Sequence, residues 1–175
     1  MRRTKWAAAA AAVIALGAAG CDTGTGAAAA PLSPRPTGTG PLTRQVVRAD
    51  LDTAAADAEV PASEPEYSGL NEDAPAGTPR SCGLGYKAVG RQTAIATERY
   101  DALVRELRER DWRQRQEPVR HKDRTGGIYD IRVILQQRGW TMVAEYSGSM
   151  KGIVTLLAYD DACMKQIGAS VRPIG

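Results

Sequence analysis

The sequence predicts an α+β domain in which an antiparallel sheet of three to five strands carries one main helix on one face and is closed by one disulfide. Three observations carry that expectation. Tyr129, Ile131, Val133 and Leu135 fall on one face of a strand, the period-two pattern of a half-buried sheet. Tyr100, Leu103, Val104 and Leu107 recur at helical spacing and form a single apolar stripe. Cys82 and Cys163 form an even pair that brackets the same region.

Taken in order, Asp22 to Gly40 is Thr, Gly, Ala, Pro and Ser with a single Arg and no apolar period, the composition of a disordered tether. As a flexible coil it would span roughly 25 Å. Pro41 to Glu59 places Leu42, Val46, Val47, Leu51, Ala54, Ala55 and Ala58 at helical spacing, with Pro61 closing the segment. A short helix is expected there. Its face is mostly Ala after Leu51, so it needs a surface to pack on. Pro61 to Pro79 reads as a loop or second linker. These features divide the chain into 1–20, 21–40, 41–79 (short helix plus acidic, Pro-rich linker) and an α+β domain at 80–175.

Within that domain Leu84 to Val89 is a short strand bounded by glycines, and Thr97-Glu98 opens a helix that runs to about Arg110 and ends at Trp112. Arg113 to Lys122 alternates loosely and is polar, which suits an exposed edge strand. Asp123 to Gly127 is a turn into the Tyr129 strand. Arg138-Gly139 is a hairpin turn into Trp140, Met142, Ala144 and Tyr146. Ser147 to Gly152 turns again into Ile153 to Tyr159, apolar on both faces and therefore central or helix-covered. Asp160-Asp161 caps a last helical turn carrying Cys163.

The N-terminus has a different logic. Arg2, Arg3 and Lys5 precede an apolar run from Trp6 to Gly20, and the run ends in small residues and Cys21. A charged start, a short apolar core and small residues before the cut are the anatomy of a signal peptide. The run is too short and too rich in Ala to span a bilayer, which needs about 20 strongly apolar residues. Leu16-Gly17-Ala18-Ala19-Gly20-Cys21 resembles the lipobox of bacterial lipoproteins. That resemblance implies cleavage before Cys21, a diacylglyceryl group on its thiol and acylation of the new N-terminus, which together hold a protein on the outer face of the cell membrane without spanning it. Arg outnumbers Lys 18 to 5 and Phe is absent, a bias of GC-rich genomes, so the layout resembles that of small actinobacterial lipoproteins. Arg2-Arg3 leaves both the general and the twin-arginine export routes open.

Charge removes one partner class. All the excess basic charge sits in the leader, and its removal leaves 20 basic against 20 acidic side chains, so a nucleic-acid partner has no electrostatic footprint. Eight acids and no base lie between Ala49 and Pro79, whereas Arg80 to Arg124 holds twelve bases against seven acids. These are either two solvated faces or an acidic arm lying across a basic helix-hairpin. In an exported chain Cys82 and Cys163 read as a disulfide, because the compartment outside the membrane is oxidising. Closing their long loop is worth about 4 to 5 kcal/mol at most in the chain-entropy model.

Local motifs for catalysis are weak. Gly83-Leu84-Gly85 with Gly90 has the wrong spacing for a phosphate loop, and Lys151 follows Ser147 and Ser149 at spacings unlike the Ser-x-x-Lys of penicillin-binding enzymes. His121 is the only histidine, so no multi-histidine metal site is expected, and Asp160-Asp161 reads as a cap before a cation site. No cofactor is expected. Trp140 and Tyr146 read first as core and cross-strand packing, and the candidate interaction surface is Trp140, Tyr146, Arg113, Arg115 and Arg120: the aromatics if one sheet face is left bare, the arginines along the basic segment. The expected function is non-enzymatic binding of an envelope protein or wall component. The alternatives are an envelope hydrolase, which would have to gather Asp130 or Glu145 with a Ser or His, and an accessory regulator using the Arg105 to Arg124 face.

Overall fold

The structure is a computed structural model that describes residues 39–68 and 74–170. The expectations for the leader, for Cys21 and for nearly all of the tether fall outside those residues. Alternation builds the sheet: β1 (Gly83–Val89), β2 (Arg113–Gln114), β3 (Val119–Lys122), β4 (Ile128–Gln137), β5 (Trp140–Ser147) and β6 (Ile153–Asp160). The strand order is β1-β6-β5-β4, with β2 and β3 both on the outer side of β4, and every pairing is antiparallel. β6 is central, as its two apolar faces imply. Gln137 pairs with Trp140 across a two-residue turn in which Arg138 and Gly139 both have positive φ, the backbone a tight hairpin needs.

Six strands exceed the three to five expected. The edge read as one strand is broken between Gln114 and Val119, where Pro118 has no N–H to contribute to a ladder. β2 therefore keeps two residues and β3 restarts beyond the break.

Four helices accompany the sheet: α1 (Arg44–Asp57), α2 (Pro65–Ser68), α3 (Thr97–Glu109) and α4 (Asp161–Gln166). The α1 start is fixed by Thr43, whose hydroxyl accepts from the Val46 N–H at 3.3 Å. Both long helices, where one was expected, lie over the same face of the sheet. Tyr100 of α3 donates its hydroxyl to the Ala144 carbonyl at 2.9 Å, and Trp140 of β5 donates its indole N–H to the Leu42 carbonyl ahead of α1 at 2.9 Å. Residues 41–60, set apart above from the 80–175 domain, share its hydrophobic core: Val47, Leu51 and Ala54 are as buried as Leu103 and Leu107. The alanine face that looked too weak to stand alone lets α1 approach closely, and burial of Val47 and Leu51 contributes about 2 kcal/mol each.

Charge and disulfide tie the segments together. Asp57 pairs with Arg110, Glu59 with Arg99 at 3.7 Å and Glu64 with Arg91 at 2.9 Å, so the acidic segment does meet the basic one. The Arg91 guanidinium hydrogen-bonded to Glu64 holds that carboxyl below its ordinary range. Trp112 buries its ring at the end of α3 and donates to Asp50 Oδ2 of α1 at 2.9 Å. The expected disulfide is present: Cys82 and Cys163, with Cα atoms 5.5 Å apart, join the turn before β1 to α4.

Candidate functional site

The register sorts the strands into two faces. Leu84, Tyr86 and Ala88 of β1 share the helix-covered face with Val154, Leu156 and Ala158 of β6 and with Met142, Ala144 and Tyr146 of β5. On the opposite face Gln136 lies beside Thr141 and Tyr159, and Ile134 beside Val143 and Leu157. That second face meets α4, whose Met164 is buried at one corner, and at β1 it meets α2, where Lys87 donates to the Tyr67 hydroxyl at 2.9 Å.

At this corner two adjoining cavities form a polar trough. One, of about 760 Å³, is walled by β2, the β4–β5 turn and Asp111. The other, of about 620 Å³, runs along α4 past Ile134 and Met164. Arg115, Gln136 and Asp161 line both, so the cavities are continuous along the sheet rim. Their floor is a hydrogen-bonded relay: Gln136 Nε2 donates to Thr141 Oγ1 at 3.0 Å, and that hydroxyl donates to Asp161 Oδ1 at 2.7 Å. The backbone of Asp161 is fixed by donation to the Gly139 carbonyl at 2.9 Å, and Asp160 caps α4, as expected, by accepting from the Ala162 and Cys163 N–H groups. Gln137 donates to the Arg110 carbonyl at 2.9 Å, while its Oε1, buried in a residue only 6% exposed, has no hydrogen-bond partner among the described residues. Arg113, Arg115, Arg138 and Lys165 outnumber Asp111 and Asp161 around the trough, giving it a positive balance.

The structure divides the five residues of the expected interaction surface. Arg113 and Arg115 stand together on the β2 edge of the trough. Arg120 is elsewhere, on β3, paired with Asp101 of α3 at 2.7 Å. Trp140 and Tyr146 are corrected: they are 2% and 6% exposed and belong to the core. Their face is the one that α1 and α3 cover together, and their polar atoms are engaged there, Trp140 on Leu42 and the Tyr146 hydroxyl on the Ile95 carbonyl at 3.1 Å. Trp140 reaches the trough only as part of its back wall.

The residues that a hydrolase would need do converge, in the wrong order. Asp130 pairs across the sheet with His121 on one side and Ser147 on the other. The acid is therefore in the middle, and serine and histidine lie two strands apart, about 9 to 10 Å, whereas a Ser-His-Asp relay needs the imidazole between the other two. Ser147 Oγ instead shares a hydrogen bond with Ser149 Oγ at 2.9 Å, His121 lies against Tyr129, and Glu145 is paired with Arg132 at 2.7 Å. The glycines likewise serve packing. A Cβ on Gly90 would fall 2.2 Å from the Lys151 carbonyl oxygen, and one on Gly152, at φ +95, would fall 2.1 Å from that of Ile95, so these two permit the close approach of the 90–95 and 151–152 segments.

Sequence reasoning missed Gln136, Gln137 and Thr141, and it read Asp161 only as part of a helix cap. The only local signal was a pair of glutamines closing an otherwise apolar strand, which has no meaning until α4 and β2 are seen to flank it. Compared with protein families, with curated proteins and with solved structures, the chain has no match in any of the three.

Proposed function

We propose that this chain is a lipoprotein held on the outer face of the cell membrane through Cys21, and that its α+β domain binds an envelope component without catalysing a reaction. The observation that carries the address is the order of residues at the N-terminus: Arg2, Arg3 and Lys5, then an apolar run, then small residues and Cys21. Support for binding comes from the trough, where cationic side chains and a hydrogen-bonded floor converge beside an open sheet edge. Groups of a kind used in catalysis are committed to structural contacts: Asp160 to the α4 cap, Ser147 to Ser149, Glu145 to Arg132.

The lipid makes a direct prediction about distribution. Replacing Cys21 by Ala removes the acylated thiol, and since stable anchoring relies on acyl chains, the variant is expected to leave the membrane fraction on expression in the native type of host. Retention of Cys21→Ala in that fraction, at the level of the parent chain, contradicts the reading. In-membrane crosslinking followed by mass spectrometry tests the second half: a binding domain gives recurrent crosslinks to one envelope component.

A further inference from the structure

The geometry points to the β2 edge and its trough as the docking site for an extended, carboxylate-bearing segment of a partner protein. This deepens the binding reading above and rests on it. The backbone argument comes first. A sheet has two edges, and here the β1 edge is closed: Arg48 donates to the Gly85 carbonyl at 2.7 Å, the Glu64 N–H to the Lys87 carbonyl at 2.7 Å, and the Lys87 N–H to Ser63 Oγ at 3.1 Å. Among the described residues β2 and β3 at the other edge have β4 as their one strand neighbour, so strand addition is geometrically open on that side.

Charge then says what kind of strand. Arg113 and Arg115 are two residues apart, project to the same side and are exposed, and neither guanidinium makes a hydrogen bond or ion pair among the described residues. Arg91, Arg99, Arg110, Arg120 and Arg132 are each ion-paired. Two adjacent guanidinium forks without a carboxylate suit a strand that brings carboxylates at alternate positions. Exposed arginines on an edge also serve simply to discourage edge pairing. The cavity beside these arginines favours docking over that bland account, and a peptide, unlike a simple anion, brings ladder N–H groups along with its carboxylates. A cavity of about 760 Å³ has the size of a site for a few residues.

The test uses the full chain in detergent and fluorescence anisotropy with a labelled dodecapeptide of alternating Glu and Val. The comparison probes are the Lys-Val counterpart, the Glu-Val peptide N-methylated at alternate residues, and oligosaccharides of hyaluronan. Glu-Val is expected to bind, and to bind at least about tenfold more weakly to R113E/R115E, equivalent to about 1.4 kcal/mol. R113Q/R115Q is expected to lose less, with both variants melting as the parent does. N-methylation, which deletes the ladder donors, is expected to cost a similar factor. The inference is overturned if Glu-Val does not bind, if charge reversal leaves its affinity unchanged, if the N-methylated peptide binds as well, or if hyaluronan binds with the same dependence on Arg113 and Arg115. An envelope partner whose crosslinks persist in R113E/R115E also overturns it while leaving the binding function standing.

Discussion

The two edges of the sheet are built on opposite principles. At β1 the chain spends an entire segment on closure: Arg44 and Arg48 of α1 reach over to the carbonyls of Ser81, Gly83 and Gly85, residues 63–64 add hydrogen bonds to Lys87, and the disulfide fastens the strand's entry to α4. At β2 and β3 the edge is short, broken before Val119 and lined with exposed cations. Where arginine at β1 donates to backbone carbonyls, arginine at β2 projects beside a cavity. The difference teaches that the sheet concentrates its stabilising contacts on one side and leaves the other edge short and without a covering segment among the described residues.

Opening the closed side should have the largest effect. Replacing Cys82 and Cys163 by Ala removes the long cross-link and is expected to cost about 2 to 5 kcal/mol in urea unfolding, with loosening of the α4 wall of the trough. A loss under about 1 kcal/mol would show that the β1 side is held without it. Next comes Asp50→Ala, which leaves the buried Trp112 indole N–H without its acceptor and is expected to cost about 1 to 3 kcal/mol. The third step compares arginines directly. R44M/R48M is expected to lose about 1 to 2 kcal/mol, because carbonyls of β1 lose charged donors, while R113Q/R115Q stays within about 0.5 kcal/mol of the parent. Equal losses from the two pairs would erase the distinction between the edges.

The smallest effect is a pH dependence of the turn between β3 and β4 on the open side. Asp123, in the turn between β3 and β4, accepts from the Thr125 hydroxyl and N–H and from the Gly127 N–H, and those bonds hold its carboxyl below the ordinary range. A depressed carboxyl stabilises the fold above its unfolded value of about 4 and loses that contribution as the pH falls through the folded value. Amide exchange at Thr125 and Gly127 is therefore expected to quicken on acidification below that range, while amides of β6 do not respond. The reverse order would contradict the Asp123 turn.

How much of this was legible in the sequence depended on whether the signal was local. The period-two run from Ile131 to Leu135, the α3 stripe, the Arg138-Gly139 turn and the apolar β6 each reported their own environment and formed where expected, whereas Tyr129 at the start of that run is 48% exposed. The second covering helix was harder to weigh. Ala54, Ala55 and Ala58 bury little area apiece, so the pattern gave a helix but not its place, and with its place went the exposure of Trp140 and Tyr146. Of the trough only Arg113 and Arg115 were legible, as part of a basic segment. The trough walls come from β2, the β4–β5 turn and α4, and Gln137 is an ordinary polar residue until its neighbours leave its oxygen without a donor.

The anchor is the premise on which the outward-facing account rests, and the mass of the N-terminal peptide from native membranes tests it most directly. The account predicts a peptide that begins at Cys21 and carries a diacylglyceryl group on sulfur. A native protein that retains Met1 to Gly20 with an unmodified Cys21 thiol would contradict it.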